Sequence, residues 1–152
     1  MIPIIAENEL YCHEVEVSGE LDAIEFYRRT SFKSHSLLLM TAEVNTKKKQ
    51  KSMVIIDSSV KIVFNDNILS LIALTENGLN FLKAISDTLL CEFKGEKIDK
   101  GLSFEIQPNF NGHDEERKLT LISPFSIIRK IIKTITSNHP EDLFIGGNFS
   151  FD

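Results

Sequence analysis

Between Ser36 and Leu74 four short apolar runs follow one another: Leu37 to Met40, Met53 to Ile56, Val60 to Phe64 and Ile68 to Leu74. Polar or charged residues close each run, and the middle two are rich in β-branched side chains, so the pattern argues for strands over helices. Asn65, Asp66 and Asn67 separate the last two runs. These residue types tolerate left-handed backbone and bond their own main chain, so Val60 to Leu74 is expected to form a hairpin. The stretch holds most of the strand signal in the chain, and the flanking segments read as its cover.

In the flanks, Leu10 to Val17 alternates in part, as a short strand would. Ser18 is placed to cap a helix carrying Glu20 and Asp22 in its first turns, with Leu21, Ile24 and Tyr27 along one face and an end near Arg28-Arg29. Asn77-Gly78 breaks the pattern after the strands. Leu79, Phe81, Leu82, Ile85 and Leu89 then return at helical spacing. Cys91 to Gly112 reads as irregular chain with one strand around Leu102 to Ile106. Ser123-Pro124 supplies a capping hydroxyl and a proline at the first helical position. Ile127, Ile128, Ile131, Ile132 and Ile135 follow as an apolar stripe, ending at Asn138-His139-Pro140. Leu143 to Phe151 is expected to close the chain as a strand interrupted at Gly146-Gly147. The expected fold class is α+β, a mainly antiparallel sheet with three amphipathic helices.

A chain of 152 residues is expected to form one domain, 1–152, burying roughly two thirds of its unfolded surface. Its formal charge of -5 provides no general drive toward nucleic acid or anionic membrane. Cys12 and Cys91 lie far apart without metal-ligand spacing, so reduced thiols in a cytoplasmic protein are expected, with neither a zinc site nor a disulfide framework. The N-terminus lacks a basic leader, and no apolar run approaches the ~20 residues of a membrane span. Secretion and membrane insertion are not expected.

The polar clusters read more simply as surface than as chemistry. Lys47-Lys48-Lys49-Gln50-Lys51 is a phosphate-binding candidate, but it lies between two strands without interleaved aromatics and reads as a solvated loop. His113-Asp114-Glu115-Glu116 is metal-like in composition; adjacent residues do not all converge on one ion, so a surface turn is expected. The four histidines form no nucleophilic set in sequence order, and Gly146-Gly147 lacks the phosphate-loop pattern. The residues alone point to no catalytic machinery.

The run SLLLMTAEVNTKKKQKSMVIIDSSVKI nevertheless resembles the N-terminal region of anthranilate synthase component I, a chorismate-utilising family of tryptophan biosynthesis. The family pattern there is LLLES, a short acidic and lysine-containing loop, and a KS-plus-aliphatic strand ending in DSA. Leu37 to Thr41, the loop through Lys51, and Lys51-Ser52 through Asp57-Ser58-Ser59 occupy those places. Asp114-Glu115-Glu116-Arg117 leading into Ser123-Pro124-Phe125 is similar to the family's DEER and SVFD or SPFD, and Gly147 to Asp152 to its GLFSYD. The shared order of these motifs, from about the first helix onward, carries the resemblance.

That resemblance implies conversion of chorismate, with ammonia or glutamine-derived nitrogen, to anthranilate and pyruvate, dependent on Mg2+ and inhibited by tryptophan. The family's chorismate and magnesium residues belong to a later segment, so no catalytic or metal residue is implied in this chain. What it implies here is part of a tryptophan pocket: the serine of LLLES falls at Thr41, the lysine after the loop at Lys51, and the glutamate at Met40. A threonine keeps the hydroxyl, a lysine suits a carboxylate, and Met40 is a departure that removes a charged acceptor. Ordinary strand packing is the plain alternative for Met40 and Thr41. The implied partners are tryptophan, the remainder of component I, and the glutamine amidotransferase component II. A stand-alone amino-acid-binding regulatory module, an inactive truncated remnant, and a relative making another chorismate product are the competing readings.

Overall fold

In the computed structural model, β4 (Val60–Asn65) and β5 (Ile68–Ala73) pair antiparallel from Val60 opposite Ala73 to Asn65 opposite Ile68. Asp66 and Asn67 make the two-residue turn, with φ of 48° and 65°, the left-handed values that a tight hairpin turn of this hand demands. The expected hairpin is present, ending one residue short of Leu74. The structure describes residues 9–10, 15–19, 21–31, 35–40, 52–106, 122–137 and 145–146.

The second edge of β5 pairs with β7 (Gly101–Glu105), which in turn pairs with β6 (Gly95–Ile98), giving an antiparallel sheet of order β4-β5-β7-β6. Helix α2 (Glu76–Glu92) crosses between β5 and β6. Alternation along β5 turns Leu69, Leu71 and Ala73 to the face where Leu102 and Phe104 of β7 join them, and Leu82, Ile85 and Leu89 of α2 complete this core. Phe93 closes it with its ring edge-on to Phe104, centroids 6.4 Å apart. Ion pairs fringe it: Lys97 with Asp87 at 3.0 Å, and Lys94 with Glu105. The hydrogen bond and charge of Lys97 hold the Asp87 carboxyl below its ordinary value.

Two expectations are corrected here. Asn77-Gly78 does not precede α2 but lies in its first turn, capped by Thr75, whose hydroxyl accepts the Gly78 amide at 3.1 Å. Glycine is required there by packing, since a Cβ on Gly78 would sit 1.9 Å from the carbonyl oxygen of Ser59. Cys91 is helical, and Gly95 to Ile98 is a strand of a tight hairpin with β7. As an edge strand with all residues exposed, β6 carries no apolar alternation to betray it.

Helix α3 (Pro124–Thr134) starts where Ser123-Pro124 predicts it: the Ser123 amide donates to the Ser126 hydroxyl at 3.1 Å. Ile127 and Ile131 are buried against the core and Ile135 packs beside it, whereas Ile132 is exposed. The helix stops before Asn138, because Thr136–Ser137 (β8) pairs in parallel with Glu9–Leu10 (β1). Of the strand expected over Leu10 to Val17, Leu10 ends β1, residues 11–14 lie outside the described residues, and Val15 and Val17 are exposed and outside regular structure. Lys130 pairs with Glu92 and ties α3 to α2.

Helix α1 (Ala23–Thr30) packs against a second, two-stranded sheet of β2 (Leu37–Met40) and β3 (Ser52–Ile55). Its cap is Asp22, which accepts the Ile24 and Glu25 amides at 2.9 and 3.2 Å. Ser18 is therefore not the cap, and Leu21 lies outside the helix, exposed. The α+β class with three helices and antiparallel sheets is as expected. Among the described residues no helix is long and apolar enough to cross a membrane. The strand expected over Leu143 to Phe151 falls largely outside the described residues; Ile145 and Gly146 carry no regular structure.

Candidate functional site

The candidate site is built on the β2–β3 hairpin. Its strands pair antiparallel from Leu37 opposite Ile55 to Met40 opposite Ser52. Burial falls along it: Leu37, Leu38, Val54 and Ile55 are half-buried, whereas Leu39, Met40, Ser52 and Met53 are exposed. One end is thus anchored and the other presented to solvent. Alternation puts Met40 and Leu38 on one face, Leu39 with Met53 on the other. Met40 is 48% exposed, so tight strand packing does not account for it; the exposed thioether occupies the place where the resemblance implies a carboxylate.

Thr41 and Lys51 lie outside the described residues, as do Lys47 to Gln50, His113 to Glu116, and Gly147 to Asp152. Of the candidate effector residues, Met40 alone is described. Its partner Ser52 precedes the half-buried part of β3.

The anchored end of the hairpin carries polar structure that reading by motif passed over. The Tyr27 hydroxyl of α1 lies 3.4 Å from the carbonyl oxygen of Ser36. Before Ser36, His35 holds a left-handed backbone, φ 73°, and its carbonyl oxygen accepts the Ser58 hydroxyl at 2.7 Å. The signal for this bond was the polar interval Asp57-Ser58-Ser59 between two apolar runs, legible as punctuation but not as a contact across the chain.

Among the described residues no three His, Cys, Asp or Glu side chains are grouped to hold a metal ion. The described free thiol, Cys91, is exposed on α2.

No family model matches the chain. Curated proteins named anthranilate synthase component 1 do. One from Buchnera aphidicola subsp. Pemphigus spyrothecae is 38% identical over 123 residues, covering 79% of this chain and 24% of the relative. Another from Buchnera aphidicola subsp. Tetraneura caerulescens is 38% identical over 126 residues, with the same coverage. That of Vibrio parahaemolyticus serotype O3:K6 (strain RIMD 2210633) is 33% identical over 122 residues, covering 79% of this chain and 23% of its own length. The chain spans about a quarter of the length of the curated relatives it matches.

Proposed function

Because the chain is a relative of anthranilate synthase component 1 over a stretch that fits an N-terminal region of that protein, we propose that it supplies the tryptophan-receiving part of such a subunit. In this reading the Lys51 ammonium meets the carboxylate of tryptophan and the Thr41 hydroxyl bonds its polar groups. The proposal is supported by the register of the described hairpin. Met40 faces Ser52 across an antiparallel pair, and Thr41 and Lys51 are their immediate sequence neighbours. The described residues that precede Thr41 and follow Lys51 are thus paired with one another.

The reaction of the whole assembly, chorismate with ammonia or glutamine-derived nitrogen to anthranilate and pyruvate, is proposed to take its chemistry from residues other than these. Component II, the amidotransferase, is the proposed partner for delivering nitrogen. The test is calorimetry with tryptophan on the chain, on Lys51→Ala and on Thr41→Ala. Heat from the unaltered chain that falls at least tenfold in affinity in Lys51→Ala supports the reading; no heat from the unaltered chain removes it. A parallel assay with chorismate, magnesium and ammonia is expected to yield no anthranilate, and turnover would defeat the division between effector site and chemistry.

A further inference from the structure

The interval between β3 and β4 makes contact in two directions through consecutive residues. Ser58 faces the hairpin side, where its hydroxyl donates to His35 O at 2.7 Å across 23 positions of sequence. That carbonyl is set by the left-handed backbone of His35 immediately upstream of β2, a conformation rarely adopted by a residue with a side chain. Ser59 faces the larger sheet: its carbonyl oxygen accepts the Leu74 amide at 2.9 Å, adding a rung beyond the Val60–Ala73 pair. The same carbonyl abuts Gly78 in the first turn of α2, close enough that a Cβ there would lie 1.9 Å from it.

We infer that Ser58 and Ser59 are a coupling point through which the entrance to the β2–β3 hairpin and the N-terminal turn of α2 hold one another in register. The two peptides are adjacent, so little slack separates the hairpin-side bond from the α2-side contact. A shift of the hairpin entrance that pulls on Ser58 moves the Ser59 carbonyl, and the Gly78 contact has no spare space to absorb it. The consequence for regulation rests on the effector reading above: occupancy at the exposed end of the hairpin would then reach α2. The coupling itself does not rest on that reading and is measured without any ligand.

The test is amide hydrogen exchange in the chain and in Ser58→Ala, Ser58→Thr and Gly78→Ala. Loss of one hydrogen bond is expected to speed exchange roughly three- to tenfold at Leu37 to Met40 and Ser52 to Ile55 in Ser58→Ala. The Gly78 amide, held by Thr75 Oγ1, and the Leu79 amide, held by Thr75 O, are expected to quicken in the same variant. Ser58→Thr, which keeps the hydroxyl, restores both regions. Gly78→Ala is expected to speed exchange in the hairpin as well as in α2, while the Glu105 amide bonded to Lys94 O serves as the distant reference. Unchanged Gly78 and Leu79 exchange in Ser58→Ala overturns the coupling, and this result is readable even should Gly78→Ala not fold. Tryptophan enters nowhere in this experiment, so loss of the coupling and loss of the effector site are separate outcomes.

Discussion

Replacing Ile127 with alanine tests how α3 is seated, and the structure sets the size of the effect. Ile127 is fully buried, and its neighbour one turn on, Ile131, is nearly so. At ~100° per residue, Ile131 lies about 40° around the helix from Ile127, and Ile132 about 140°. One isoleucine stripe in sequence is therefore split by geometry into a docked edge and a solvent edge, with Ile132 53% exposed. Ile127→Ala removes three methylene-sized groups at ~0.8 kcal/mol each, about 2.4 kcal/mol, and the residual cavity raises this toward ~5 kcal/mol. Ile132→Ala is expected to cost under ~0.5–1 kcal/mol, as an exposed substitution away from caps and turns does. Urea denaturation monitored by far-UV circular dichroism, with the slope held constant between variants, gives both values. Equal losses for the two variants, or an Ile127→Ala loss under ~1 kcal/mol, would refute the docked orientation of α3.

Three further perturbations probe separate elements. Asp22→Ala should destabilise α1 by ~1 kcal/mol and quicken exchange of the Ile24 and Glu25 amides it caps; a larger effect from Ser18→Ala would reverse the assignment of the cap. Gly101→Ala places a Cβ 1.9 Å from the carbonyl oxygen of Leu71, so the β5–β7 pair must shift and the urea midpoint should fall by the equivalent of about 2–3 kcal/mol; a change within ~0.5 kcal/mol would contradict that contact. Asp87 has a folded pKa below its ordinary 3.8 because of Lys97, so its contribution is present above that value and is lost as pH falls through the lower, folded pKa. The stability gap between the chain and Asp87→Asn should thus close in acid, and since the pair is solvent-exposed the gap is small; a gap that stays constant with pH would rule the pairing out.

The parts of this fold that could be read from sequence are those where local chemistry and tertiary packing agree. Asp66-Asn67 demands a tight turn by itself and is given one, and Ser123-Pro124 opens a helix whose Ile127 and Ile131 find the core. The misreadings come where a distant neighbour decides. Gly78 looks like a helix breaker until the Ser59 carbonyl that needs the space is known, and Lys97 disguises β6 because a charged side chain paired with Asp87 of α2 stands opposite Leu102 of β7. Ser18 and Asp22 are both good caps in isolation, and only the direction of the amides chooses Asp22. For the candidate site, motif order located the hairpin that bears Met40, whereas the Ser58 bond to His35 depends on a left-handed residue that no local pattern announces.

The central claim is that the exposed end of the β2–β3 hairpin receives the amino acid, and the most direct measurement is a calorimetric titration of tryptophan into Met40→Glu beside the unaltered chain. A carboxylate at this position gains a charge-assisted bond to the ligand's ammonium, worth ~1.5 kcal/mol at the low end appropriate to an exposed site. The account predicts an affinity about tenfold higher in Met40→Glu, with the gain abolished when Lys51→Ala is added. Unchanged or weaker binding in Met40→Glu would contradict it.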